Sequence, residues 1–379
     1  MSDSAPAESL VALAALSRRY GLDPAWVLAG GGNTSYKNPS TLWIKASGST
    51  LATIEPDGFC AIDRGRLDAI WDRKYPDSTD EREAAALTDL MGARAQGETK
   101  RPSVETLLHG FFPQAFVVHT HPSLVNGLTC GRRGEEIFRE LFGNEAIWVP
   151  LVDPGYILAK TVRRIFEVFR AKHGRVPALM FMQNHGLLVA GDSPEEIDAI
   201  SSSVIQRLSV KVARRPDRRP VAVDSSALIE AIKAIASLSG SGSFVAHRAD
   251  ADILGFAEGG ESFEPLASAF TPDHIVYAGH EFALASGPPD IARAWSAFFS
   301  RNGAAPRIVL VRGVGAFSAA GTASAASSAM ALFLDACAVA VYAESFGGAL
   351  HMPREKVEFI RNWEVERYRA KAGVGPKGV

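Results

Sequence analysis

His119-Thr120-His121, followed 64 residues later by His185 in Asn184-His185-Gly186, is the group of residues in this chain with the clearest chemical potential. Ala115-Phe116-Val117-Val118 before the pair reads as a buried strand. Residues i and i+2 on a strand point to the same face, so both imidazoles project together. His185 closes a second apolar run, Leu179-Met180-Phe181-Met182, and can arrive from a neighbouring strand. Three neutral imidazoles around one Zn2+ leave a coordination position open, as catalytic rather than structural zinc requires. The competing reading of an isolated His-x-His pair is two hydrogen-bonded histidines at a strand end. The third histidine favours the metal.

Glu105 is the candidate acid or base. Pro102-Ser103 predicts a helix start, with Ser103 as cap, Val104 to Phe111 as body and Glu105 in the first turn. That helix runs directly into the His-x-His strand, which brings the carboxylate beside the metal. A favourable charge at a helix N-terminus, worth only ~0.3–1 kcal/mol, is the plainer alternative. His109, one turn later on the same face, reads as a supporting or core histidine rather than a ligand. Gly30-Gly31-Gly32 with Asn33, the Ser47-Gly48 turn and Ser103 offer backbone N–H groups that can nest a phosphate. They form neither a Walker loop nor a dinucleotide fingerprint, and Gly-Asn-Thr-Ser is also ordinary turn chemistry.

These residues need a scaffold, and the chain is long enough to supply one. Its 379 residues, 47% hydrophobic and 22% charged, suit a globular protein of two domains, or of one large domain with an appended unit. A net charge of -2 gives no reason to expect nucleic acid or an anionic membrane as partner. The sequence offers no evident apolar run of bilayer length, and the Met1-Ser2-Asp3-Ser4 start lacks a signal-peptide pattern. Cys60, Cys130 and Cys337 are isolated, as expected for reduced thiols in the cytoplasm. Helices are expected over 5–20, 80–95, 122–129, 134–142 and 157–172, and from Pro194. Gly30 to Ser35 reads as a loop, and Leu42 to Lys45 and Phe59 to Ile62 as strands.

Arg214 to Pro220 reads as a solvated linker. Beyond it, Pro306 to Gly315 matches Pro177 to Gly186 at a constant offset of 129. Val314 takes the place of His185, and no His-x-His pair stands out at the equivalent distance. Residues 1–213 are therefore expected to form the metal-bearing domain. Residues 225–379 are expected to form a smaller α/β unit without metal ligands, either a degenerate repeat or a coincidental likeness.

The ordered set Gly-Gly-Asn-Thr-Ser (31–35), Ala-Ser-Gly (46–48), Pro-Ser-Val-Glu (102–105), His-Thr-His-Pro (119–122) and Asn-His-Gly (184–186) resembles the class II aldolase/adducin family. Thr271-Pro272-Asp273-His274, Pro306 to Gly321 and Asn362-Trp363-Glu364 resemble the aldolase half of bifunctional rhamnulose-1-phosphate aldolase/alcohol dehydrogenases. The resemblance implies an α/β/α sandwich with a central, largely antiparallel sheet, and one zinc per active site on His119, His121 and His185. It also implies that Glu105 ligates the resting zinc and then moves away to act as base or acid. A substrate phosphate would lie on Gly32, Asn33, Ser47, Gly48 and Ser103. Val104 stands where the family often has a second serine, which removes one hydroxyl contact. Tyr156 falls where the family often has a substrate-pocket segment, and is either a proton donor to the aldehyde oxygen or a core tyrosine. No dehydrogenase fingerprint is present, so no nicotinamide cofactor is expected.

The chemistry implied is aldol cleavage or condensation of a small ketose, such as rhamnulose- or fuculose-1-phosphate. Zinc stabilises the enediolate and Glu105 moves the proton at C3. The alternatives are a phosphopentulose 4-epimerase or sugar dehydratase on the same fold, and a non-catalytic adducin-like binding module. The epimerase usually carries aspartate where Glu105 stands, and the binding module predicts missing ligands. A homo-oligomer, dimer or tetramer, is expected.

Overall fold

The computed structural model describes residues 5–363. The first four residues, and Glu364 of the closing Asn-Trp-Glu, lie outside them. Contacts divide the chain into two units, Met1–Val125 with Glu135–Val210, and Asn126–Gly134 with Lys211–Val379. The return of segment 126–134 to the second unit has no marker in the sequence.

The first unit begins with α1 (Ala5–Gly21), then β1 (Asn33–Lys37), β2 (Thr41–Lys45) and β3 (Phe59–Asp63). Helices α2 (Arg64–Ala69), α3 (Thr79–Gly92) and α4 (Thr106–Phe111) lead into β4 (Phe116–Thr120). After α5 (Ser123–Thr129), whose last four residues count with the second unit, and α6 (Gly134–Phe142) come β5 (Ile147–Val149), α7 (Tyr156–His173), β6 (Leu179–Met182), β7 (Gly186–Gly191) and α8 (Pro194–Ser209). The seven strands form one sheet in the order β3-β2-β1-β4-β7-β6-β5. Every neighbouring pair is antiparallel except β5 with β6. Helices α1 and α8 pack on strands β1, β4 and β7. The other face is closed by α2, α3, α4 and α7, whose Leu67, Leu90, Leu108 and Val162 share one core with Ile44, Val117 and Leu188 of the sheet. Each such side chain taken from water contributes roughly 1.5–3 kcal/mol. The expected sandwich with a largely antiparallel centre is what the chain forms.

Two local expectations change. Asn33, Thr34 and Ser35 are strand, not loop, because β1 pairs with both β2 and β4 and its polar side chains find buried partners. Helix α4 starts at Thr106, so Glu105 sits at its N-cap, with φ -86° and ψ 5°, rather than in the first turn. Ser103 still helps: its hydroxyl accepts from the Glu105 N–H at 3.3 Å.

The second unit contains α9 (Ser226–Leu238), β8 (Phe244–Arg248), α10 (Ala251–Phe256), β9 (Ala283–Ala285), α11 (Ile291–Asn302), β10 (Ile308–Val311), β11 (Gly315–Ala320), α12 (Ala323–Glu344) and α13 (Arg354–Asn362). Its sheet order, β8-β11-β10-β9, repeats β4-β7-β6-β5, including the single parallel pair at the end. Strands β10 and β11 begin and end 129 positions after β6 and β7. Left-handed glycines, Gly174 and Gly303, close α7 and α11 at the same offset. Ser193 and Thr322 likewise cap α8 and α12 through their hydroxyls. Of the two readings of the sequence match, the structure supports a repeat.

Arg214 to Pro220 is irregular and none of it is buried, as a solvated linker would be, but two of its arginines anchor it to the second unit. Arg214 bridges Glu344 and Asp252, and Arg218 donates to the Leu334 carbonyl at 2.5 Å. Helix α12 also revises the reading of apolar length, since by length and composition it could cross a membrane. Alanine and valine supply that hydropathy, and 67% of the stretch is buried within the structure, as in a core helix.

Candidate active site

Strand β4 carries His119 on the face occupied by Val117, and His121 follows directly after the strand end. His185 arrives from the three-residue turn between β6 and β7 rather than from a strand. That turn needs a left-handed residue, supplied by Asn184 at φ 53°. Gly186 is required for space. A Cβ there would lie 2.5 Å from the Thr120 carbonyl and 2.6 Å from the His121 ring. Gly32 allows a similar approach, with His119 O only 2.7 Å from where its Cβ would be.

The three imidazoles converge. His119 Nε2 lies 2.9 Å from His121 Nε2 and 3.3 Å from His185 Nε2. Ring nitrogens of the three all fall within 4.8 Å of one another. His119 Nδ1–H donates to the Leu187 carbonyl at 2.9 Å, which leaves the Nε2 lone pair facing the cluster. Glu105 Oε1 completes it, at 3.4 Å from His119 Nε2 and 3.2 Å from His185 Nε2. Tetrahedral zinc with Zn–N near ~2.0–2.1 Å separates its nitrogens by roughly 3.3 Å, so the donor set fits that ion closely. His119 is buried, while His121 and His185 are half-buried, which leaves one side of the cluster accessible. Burial raises the Glu105 carboxyl, but His119 and His185 outweigh it and hold the group well below the usual carboxylate range.

Asn33 and Ser103, expected at a phosphate, are turned toward Glu105. Asn33 Nδ2 donates to Glu105 Oε2 and, at 3.4 Å, to the Ser103 hydroxyl. The Asn33 carbonyl oxygen meets His109 Nε2, and Ser35 Oγ lies 2.7 Å from His109 Nδ1. Burial holds His109 well below the usual imidazole value, with only partial compensation from Glu105. Ser47 Oγ donates to the Pro102 carbonyl at 3.1 Å, and Gly48, at φ 91°, is exposed beside it. Tyr156 sits apart in an aromatic group, 4.6 Å from the Tyr75 ring and 6.0 Å from Trp71. Its contacts are those of a core residue, the second of the two roles expected for it.

Lys37 went unnoticed in the sequence. It shares the face of β1 with Asn33 and Ser35, is 4% exposed, and its Nζ has no hydrogen-bond partner. Burial, with Arg64 nearby, lowers its amine to about 7.

In the second unit the register places His247 opposite Phe317, as His119 lies opposite Leu188. One histidine of the pair therefore persists, although the full His-x-His pair is absent as the sequence indicated. Ala249 and Val314 occupy the other two ligand positions. His247 commits both nitrogens to the protein, with Ser225 Oγ and the Val314 carbonyl each at 3.0 Å.

The chain is 26% identical to the uncharacterized oxidoreductase YuxG of Bacillus subtilis (strain 168), over 90% of its own length but 55% of that protein's. Among solved structures it is similar to the N-terminal class II aldolase domain of a conserved Thermoplasma acidophilum protein. That match has 29% identity and a TM-score of 0.45, and covers 55% of this chain and 94% of that one. It is also similar to L-fuculose-1-phosphate aldolase from Thermus thermophilus, at 14% identity and a TM-score of 0.36, covering 54% and 94%. Residues 11–201 match the model of the class II aldolase and adducin N-terminal domain, and the chain belongs to that family.

Proposed function

We propose that this chain is a zinc-dependent class II aldolase that cleaves or forms a carbon–carbon bond in a small ketose, a sugar 1-phosphate such as rhamnulose- or fuculose-1-phosphate. The observation that carries the proposal is the convergence of three imidazole nitrogens and one carboxylate oxygen on a single point. Four electron-rich atoms crowded so closely repel one another unless a cation or shared protons lie among them, and a divalent cation satisfies all four at once. His119, His121 and His185 would hold the zinc, which supplies Lewis-acid stabilisation of the negative charge developing on the ketose oxygens.

The chain's own side chains do the rest. Glu105, poised at the N-cap of α4, removes or returns the proton at C3 of the sugar. Its ionised state suits a base, and the accessible side of the cluster admits the substrate. Exposed Gly48 and the adjoining Ser47 turn offer the polar contact for a phosphate, while Asn33 holds the carboxylate and Ser103 accepts from Asn33 and from the Glu105 N–H. Tyr156, packed among Tyr75 and Trp71, is assigned to the core rather than to proton transfer in this reading. Intact ligands and a positioned base speak against a purely adducin-like binding role. A dimer or tetramer of such chains is the expected assembly.

The test is aldehyde release from a panel of ketose 1-phosphates and free ketoses, with and without a chelator. Release that is abolished by the chelator and restored by zinc supports the reading. No aldehyde from any ketose, with zinc bound in stoichiometric amount, would turn attention to epimerase or dehydratase chemistry on the same residues.

A further inference from the structure

We infer that His109 is a positioning residue that aims the Glu105 carboxylate by way of Asn33. The inference rests on the proposed role of Glu105, but its geometry stands independently. Asn33 and Ser35 lie two apart on β1 and share a face, while His109 lies one helical turn beyond Glu105. The His109 N–H donates to the Glu105 carbonyl at 3.3 Å, so the backbone also ties the two together.

The side chains form a series, Ser35, His109, Asn33, Glu105, with one side branch from the Asn33 amide nitrogen to the Ser103 hydroxyl. With His109 a neutral imidazole, as its burial requires, one assignment of protons satisfies every link. An ionised carboxylate only accepts, so the Asn33 amide nitrogen must be the group facing Glu105. The amide oxygen then faces His109, and Nε2 must carry the imidazole proton. Nδ1 is left as acceptor, and the Ser35 hydroxyl donates to it. His109 and Ser35 are fully buried and Asn33 is 5% exposed, so water offers no ready substitute partner.

The consequence for the site is a division of labour between the two carboxylate oxygens. Oε1 faces His119 and His185, whereas Oε2 is held by Asn33. If His109 did not hold the Asn33 amide, the side chain could turn over and set its oxygen against Oε2, two acceptors face to face. The histidine thus selects the amide orientation, and the amide selects the carboxylate orientation. Supporting hydrogen bonds of this kind typically change metal affinity or activity by roughly 10–100-fold when removed.

Two variants of the full chain test this. His109→Gln keeps a side-chain N–H for Asn33, and His109→Phe keeps volume without a donor. The expected result for His109→Phe is a kcat reduced roughly 10–100-fold with KM within about twofold and stoichiometric zinc retained. His109→Gln should recover most of that loss. Nitrogen NMR of the unsubstituted chain should show His109 protonated at Nε2 and bare at Nδ1. The Asn33 carboxamide protons should be protected from hydrogen exchange, and should lose protection in His109→Phe. The NMR readouts require no turnover, so they judge the relay even if the aldolase reading fails. A proton on Nδ1, unprotected Asn33 in the unsubstituted chain, or folded variants that exchange and react alike would overturn the inference.

Discussion

Glu105 Oε1 lies 3.2 Å from His185 Nε2, a contact that joins residues 80 positions apart through an N-cap and a hairpin turn. The carboxylate and the imidazole nitrogens share one focus, so metal loss and base loss should be separable by mutation. His121→Ala removes one ligand from the accessible side of the cluster. We expect zinc content, measured by atomic absorption, to fall well below one per chain and aldehyde release to vanish. The thermal midpoint without metal should stay close to that of the metal-free parent. Full zinc content in a folded His121→Ala protein would dismiss the three-histidine site.

Glu105→Gln keeps the shape of the side chain and takes away the base. Turnover should drop by ~10²–10⁴-fold, the usual contribution of general acid–base catalysis. Zinc content should persist, because the three imidazoles remain. Unchanged turnover in a steady-state assay would reduce Glu105 to a helix-terminus charge.

Gly186→Ala probes the crowding around the histidines. Its methyl group would come within 2.6 Å of the His121 ring and 2.5 Å of the Thr120 carbonyl, and only the ring has room to move. The strand contact should cost about 1–3 kcal/mol of stability by denaturant titration. Zinc affinity should weaken at least tenfold by competition with a chromogenic chelator. Unaltered affinity would mean that the His121 ring position does not matter.

Lys37 gives a prediction in pH. Its amine titrates at about 7 in the folded chain against an ordinary value of 10.5, so the folded state resists its protonation. Below about pH 7 the whole penalty is present. Between 7 and 10.5 the unfolded chain binds a proton that the folded one does not, so this contribution to stability improves as pH rises. The difference of 10.5 minus 7 corresponds to about 4–5 kcal/mol. Lys37→Met should therefore stabilise the protein near pH 6, with a gain that shrinks steadily toward pH 10. A gain independent of pH in urea titrations would contradict a titrating buried amine.

Much of the site was legible because its signals are local. A His-x-His pair at the end of an apolar run announces its own geometry, since strand alternation puts both rings on one face. Glu105 could be placed by the capping pattern around Ser103, although α4 begins later than that pattern suggests. Asn33 and Ser35 were misread because turn-forming residues enter an interior strand only when buried partners accept them. Those partners, His109 and Glu105, lie more than seventy positions away in the chain. Lys37 escaped for the same reason: nothing beside it in sequence reveals that it is enclosed. His247 was missed because only strand register, not spacing within a motif, aligns it with His119.

The turn between β6 and β7 carries a last consequence. Its left-handed position is Asn184 in the unit with the histidine cluster and Gly313 in the repeat, at φ 53° and 71°. Glycine occupies that conformation freely, whereas for a residue with a Cβ it costs about 1 kcal/mol. The repeat, with no ligand to hold, has the relaxed choice. Beside His185 the chain tolerates the strained one, with the Asn184 side chain fully buried. Two effects are thus opposed at one residue: Asn184→Gly relieves the backbone but empties a fully buried position, so the turn should hold His185 less firmly.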